Sequence, residues 1–350
     1  MQVRRFLKSN WPYIFMFLFV LVVSILLRID KQTDRPDTLK RAPIHKIELL
    51  NSEKIQERQK KIENLLYTNP PLYLFLAALN LFILLLFLAG LYLDGLMIYK
   101  WRKKQHLMKR TFNPAIINWD FIDVIRVSVM FFAFAYVILF LESFLVRRIP
   151  CLDNRNFRII FNTTVMDIAG IVFVLNFVIL IYRQRLATIG ISLKNFFRNV
   201  FYGICGYITI IPILFLIMVI TLIILNLFKW SPPVQPIVDL LMKEERIHIL
   251  VYSSLFAAVA GPIMEEIFFR GFMYSALKKH IGILWSCLVT ALIFSFLHAH
   301  LVGIAPIMVL GILLAYLYEK TGSLVSSVTV HITHNLVSLG MVFLMKGMNF

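Results

Sequence analysis

Acidic residues and cysteines are scarce in this chain. Its 350 residues hold 19 aspartates and glutamates against 36 lysines and arginines, with only three cysteines. Cys151, Cys205 and Cys287 lie far apart with no paired spacing, which excludes a disulfide framework and a thiolate metal site. Charged residues of either sign make up 16% of the chain and hydrophobic ones 59%, where soluble domains average about 25% and about 45–50%. An ordinary soluble fold is therefore excluded. No internal repeat, low-complexity tract or His-Glu-x-x-His motif occurs. No small-x-small cleavage site follows the apolar run 11–27; the next residues are Arg28, Ile29 and Asp30, so that run and its preceding Arg4, Arg5 and Lys8 read as a retained signal-anchor helix.

What fills the chain instead is long apolar segments, at about 11–27, 71–99, 121–145, 159–181, 201–228, 249–277, 283–299, 302–318 and 324–345. They are continuous rather than alternating, so they read as membrane-spanning helices rather than barrel strands. The expected fold is an all-α, polytopic transmembrane helical bundle of about nine spans. The net charge of +17 collects at the ends of these runs, as in Lys100, Arg102, Lys103, Lys104, Lys109 and Arg110. That distribution fits helix anchoring and attraction to anionic lipid headgroups, and argues against a nucleic-acid partner. The same bias predicts a multi-pass integral membrane protein with a cytoplasmic N-terminus, in the plasma membrane if the cell is bacterial. Arg147, Arg148, Arg155 and Arg158 fall on the other side in that count.

The chain divides on this reading into N-terminal membrane helices, residues 1–185, and a catalytic membrane core, residues 186–350. A charged loop at 29–70, with nine basic and seven acidic residues, carries the apolar series Ile44, Ile47, Ile55, Ile62 and Leu65, which hints at an amphipathic helix. The stretch 189–198 mixes apolar and basic residues and reads as interfacial.

The core is singled out by charge at membrane depth, which costs several kcal/mol unless paired or functional. Glu265, Glu266 and Arg270 sit inside the apolar run 249–277. On a helix Glu266 and Arg270 are four apart and can pair, whereas Glu265 is rotated about 100° from Glu266. Glu266 is then neutralised structurally and Glu265 is left to act as a general base. Phe294 and His298 follow on the next run, His331 and Asn335 on the last. Glu265 and His298 are equidistant from Ile281–Gly282, beside Lys278, Lys279 and His280, where the turn is expected. In an antiparallel hairpin they lie side by side, each roughly 20 Å from the turn at 1.5 Å per residue. His331 lies about 14 Å beyond the 320–323 turn by the same rise and so falls within reach.

Glu-Glu-x-x-x-Arg, Phe-x-x-x-His and His-x-x-x-Asn in three successive apolar contexts resemble the CAAX protease and bacteriocin-processing family, intramembrane endopeptidases related to the type II CAAX prenyl endopeptidase. The resemblance covers roughly residues 186–345, including Ile189-Gly190-Ile191, Ala260 to Met264 and Phe269-Arg270-Gly271. It implies that Glu265 activates a water for attack on a scissile peptide carbonyl, that His298 orients the water or assists proton transfer, and that His331 and Asn335 stabilise the oxyanion. Glu266 and Arg270 would support them. The implied substrate is a membrane-embedded or lipid-anchored peptide, prenylated at a CAAX end or carrying a leader. Glu265, His298 and His331 are also a conceivable zinc set; a metal-independent, glutamate-activated water is the favoured expectation.

Buried Glu and His also mark transporters and proton relays, but no inverted repeat supports that reading. A catalytically silent scaffold or immunity protein is a further alternative. Bland roles are expected for several other polar residues. His300 is expected in a loop and His334 off the site. Glu319 and Lys320 read as a solvated helix end, and Asp123, Arg126, Glu142 and Asp167 as a structural ion network.

Overall fold

The computed structural model describes residues 2–33, 60, 67–105, 108, 116–145, 148–149, 154–230, 232, 234–298 and 300–347. The expected amphipathic series from Ile44 to Leu65 lies outside them, as does Cys151. The described residues form helices and no strand: α1 (Gln2–Thr33), α2 (Pro70–Arg102), α3 (Phe121–Leu145), α4 (Arg155–Leu175), α5 (Phe196–Leu227), the short α6 (Pro236–Lys243), α7 (247–281), α8 (283–297), α9 (Ile304–Thr321) and α10 (Leu324–Gly347). Seven helices are long and apolar enough to cross a membrane; one of them, Ile247–Leu297, is the 51-residue run that contains both α7 and α8, and α1 adds the shorter apolar stretch Asn10–Ile25. The polytopic all-α bundle is thus observed.

Two compact units are present. In the one made of Asp34–Met108 and Ile208–Pro233, α2 packs on the second half of α5 through Phe87 and Phe215, whose rings lie 5.4 Å apart. Pro212 has no N–H, which leaves the carbonyl of Ile208 without its helical donor. Gly90 allows that carbonyl to approach: a Cβ there would stand 2.5 Å from the Ile208 oxygen.

The other unit comprises Met1–Thr33, Lys109–Tyr207 and Val234–Phe350. Gly282, with φ 75° and ψ 178°, takes a conformation open to glycine and breaks the helix between α7 and α8. Phe269 and Phe294, equidistant from that break to within a residue, meet with ring centroids 5.1 Å apart. The expected hairpin therefore forms, with the expected register. Gly322, φ 64°, ends α9 in the left-handed conformation that commonly closes helices. α9 and α10 complete a four-helix group around a core that includes Phe272, Phe294, Ile189 and Trp119.

The Ile189-Gly190-Ile191 segment is more than interfacial. Ile189 is fully buried, and Gly190 (φ 84°) accepts a hydrogen bond from the Leu324 amide at 2.9 Å. Only beyond it, at Leu193 and Phe197, does the stretch become exposed. Gly271 of α7 permits the docking, since a Cβ there would lie 2.9 Å from the Ile189 carbonyl oxygen. Gly271→Ala sets methyl against backbone, where no rotamer can yield, and should cost about 1–3 kcal/mol. The readout is the thermal midpoint of the purified protein in detergent; an unchanged midpoint would contradict this packing.

Candidate active site

The helix that carries the two acids is not a regular α-helix. Phe256–Ala260 and Ile267–Tyr274 are π-helical turns on either side of Gly261–Glu266. Such bulges recur at functional sites because they re-aim side chains and release backbone groups. Gly261 N–H bonds back to the Phe256 carbonyl, five residues away. The next donor in that register would be residue 262, a proline without an N–H. The Ala257 carbonyl is left over, and Asn335 Nδ2 of α10 donates to it at 2.8 Å. Asn335 thus latches α10 onto α7 with one amide N–H and keeps a second N–H.

Glu266 and Arg270 are both fully buried, and Arg270 Nη1 donates to Glu266 Oε1 at 2.6 Å. The expected i,i+4 pair forms. The guanidinium also reaches the Gly311 carbonyl of α9 at 3.3 Å and lies 4.5 Å from the centre of the Phe294 ring. His331, 3% exposed, adds a contact that the sequence did not show: its Nδ1 lies 3.0 Å from the same Glu266 Oε1. An ionised carboxylate accepts only, so Nδ1 is the donor, and in the neutral ring Nε2 is left as the acceptor. That nitrogen faces Glu265 Oε2 at 3.7 Å.

The two neighbouring acids are therefore in different surroundings. Glu266 is locked between a cation and an imidazole. The Glu265 side chain retains 32% exposure, and no protein hydrogen-bond donor reaches its Oε2. His298 caps the end of α8, where its Nδ1 lies 2.8 Å from the Phe294 carbonyl. That bond makes Nδ1 the donor and leaves Nε2 as the acceptor in the neutral ring. Phe294 is the hub of the arrangement, its ring 4.7 Å from that of His298 and 5.6 Å from that of His331.

Glu265, Phe294 and His298 line one cavity of about 360 Å³, together with Phe268 and Asp167. The hairpin thus places Glu265 and His298 around a common space. A larger cavity of about 510 Å³ lies elsewhere, beside Lys278, Lys279 and Gly322, and holds neither of them. Among the described residues, no three His, Cys, Asp or Glu side chains converge as a metal-holding group. Glu265, His298 and His331 are not among such groups in this structure.

The bystander assignments divide. His300 accepts from the Gly303 amide at 3.1 Å in the loop after α8, and His334 packs edge-on to Tyr207. Asp123 pairs with Arg126 at 2.6 Å and Glu142 with Arg158 at 2.7 Å, as structural ion pairs. Two expectations need correction. Glu319 is no solvated helix end: it is 4% exposed and bound by Lys278 and by the Tyr274 hydroxyl, both at 2.8 Å, because the end of α7 folds over it. Asp167 joins no ion network among the described residues, and lines the same cavity as Glu265 instead. No basic residue stands within four positions of Asp167, whereas Asp123 has Arg126 three positions on; Glu142 lacks one as well and still pairs with Arg158, so local counter-charge alone does not separate these cases.

Part of the chain is similar to known proteins. Residues 247–337 match the family model described as "Type II CAAX prenyl endopeptidase Rce1-like". Over 79 residues, 23% of the chain, the sequence is 29% identical to the Bacillus subtilis (strain 168) protein named "Putative membrane peptidase YdiL". The match spans about a third of that relative, 32% of its length. No solved structure is significantly similar to the chain. Residues 247–337, which hold both acids, Arg270, His298, His331 and Asn335, are thus similar to the Rce1-like type II CAAX prenyl endopeptidase family.

Proposed function

We propose that the protein is an intramembrane endopeptidase that hydrolyses a peptide bond in a membrane-embedded or lipid-anchored substrate by a glutamate-activated water. The observation that carries the reading is the chain of contacts Arg270–Glu266–His331–Glu265. A buried cation fixes a carboxylate, the carboxylate fixes the histidine tautomer, and the histidine turns its basic nitrogen toward an acid that no protein donor holds. Positioned acid–base groups of this kind contribute about 10²–10⁴-fold in rate.

In the proposed reaction Glu265 takes a proton from a water as its oxygen adds to the scissile carbonyl. The proton passes to the amide nitrogen, the C–N bond breaks, and a carboxylic acid and an amine result. His331 Nε2 faces Glu265 and can hold the proton in transit. His331 can donate to an oxyanion only after Nε2 is protonated. The second amide N–H of Asn335 is a donor from the outset, which makes Asn335 the better oxyanion partner in the resting site. His298, which lines the cavity, can orient the water.

The test is cleavage of a membrane-tethered reporter peptide by the purified protein in liposomes, with and without chelation and metal add-back. The expected result is a single internal cut that persists after chelation. Loss on chelation with recovery on add-back would overturn the metal-independent step. A protein that cuts no reporter but conducts protons across the liposome would overturn the endopeptidase reading.

A further inference from the structure

Asp167 projects from α4, outside the matched residues 247–337, and lines the Glu265–His298 cavity. An ionised carboxylate at membrane depth is costly unless a cation or donors compensate it. Among the described residues no hydrogen-bond donor or cation reaches Asp167, and the charge that does act on it, that of Glu265, is repulsive. Among the described residues no lysine or arginine lines the cavity. Phe131, Phe132 and Phe268 form much of the remaining wall, with Ile171 and Met264. Its volume of about 360 Å³ falls within the roughly 300–1,000 Å³ of ligand sites.

We propose that Asp167 is a specificity-determining residue that receives a cationic side chain of the substrate peptide, flanked by apolar residues that fill the phenylalanine walls. The inference rests on the endopeptidase reading and adds to it a substrate class: an apolar peptide with a lysine or arginine close to the scissile bond. A bound cation would relieve both the unpaired charge of Asp167 and its repulsion with Glu265. Apolar and acidic peptides would lack that gain, so discrimination has an attractive and a repulsive part.

The experiment uses the full-length protein and one apolar, membrane-tethered reporter carrying Lys, Gln or Glu at each of the positions flanking the cut. The expected wild-type result is a kcat/KM for the Lys peptide at one position that exceeds the Gln peptide by at least about tenfold, chiefly through KM. Asp167→Asn should bring that ratio to within about twofold of unity, and Asp167→Lys should invert it in favour of Glu, in the manner of a charge-swapped pocket. Because each ratio compares peptides on one preparation, loss of folded protein does not mimic it. A uniform fall in kcat for all peptides with a displaced pH profile in Asp167→Asn would overturn the proposal and make Asp167 a proton-sharing partner of Glu265. Fluorescence anisotropy of the uncleaved Lys and Gln peptides on Glu265→Gln protein supplies the second readout. If no peptide is cut by wild type, the endopeptidase reading fails; equal affinity for the two peptides is what would sink the role of Asp167.

Discussion

Glu265→Gln is expected to lower reporter cleavage by about a thousandfold or more, within the range for loss of a positioned acid–base group together with the water it activates. The thermal midpoint should stay close to wild type. The substitution keeps the shape of the side chain, which is 32% exposed and makes no hydrogen bond to a protein donor through Oε2. Glu266→Gln should behave in the opposite order. Its carboxylate is fully buried against Arg270 and His331, so neutralising it strands a buried guanidinium and costs folded protein first. Two adjacent glutamates thus separate activity from stability. The comparison needs cleavage rates and melting curves on the same detergent preparations. Residual cleavage above about a tenth of wild type in Glu265→Gln is incompatible with the 10²–10⁴-fold contribution expected of a general base.

That separation of the two acids was legible before any coordinates. A helix of 3.6 residues per turn puts Glu266 over Arg270 and turns Glu265 away, and this depends only on local geometry. The hairpin was legible too, because Gly282 sits midway between Glu265 and His298 and only one connection fits so short a turn. What the sequence did not disclose depends on contacts between distant helices or on departures from the regular helix. His331 reaches Glu266 only once α10 packs against α7. The Asn335 bond to Ala257 needs the π-helical register before Pro262, although the proline marks where a donor is missing. Asp167 lines the same cavity as Glu265 because α4 lies against the acid-bearing turn, and Glu319 is buried because Lys278 and Tyr274 close over it. In each case a polar residue in an apolar helix was visible, and its partner was not. A missing local counter-charge sets Asp167 apart from Asp123 but not from Glu142, which finds Arg158 on the next helix.

Arg270 is expected to be the residue whose loss costs the protein most. Its guanidinium touches three elements: Glu266 on its own helix at 2.6 Å, the Gly311 carbonyl of α9 at 3.3 Å and the Phe294 ring of α8 at 4.5 Å. Through Glu266 it also holds His331 of α10. Arg270→Met leaves a carboxylate buried without its cation, and breaking a fully buried pair in this way costs about 3–5 kcal/mol. Arg270→Lys should be nearly as harmful, since an ammonium cannot bridge the carboxylate and the carbonyl while stacking on the ring. The double variant Glu266→Gln/Arg270→Met removes both charges and should recover part of the lost stability. It should not recover cleavage, because His331 Nδ1 then faces a neutral amide that no longer dictates its tautomer, and Nε2 is not held as a base toward Glu265. The measurements are the monodisperse yield and melting temperature in detergent, with reporter cleavage per folded molecule. A double variant no more stable than Arg270→Met would show that the cost lies in lost packing against Phe294 and Gly311 rather than in the stranded charge. A double variant that cleaves at the wild-type rate would remove the ion pair from the positioning of His331 altogether.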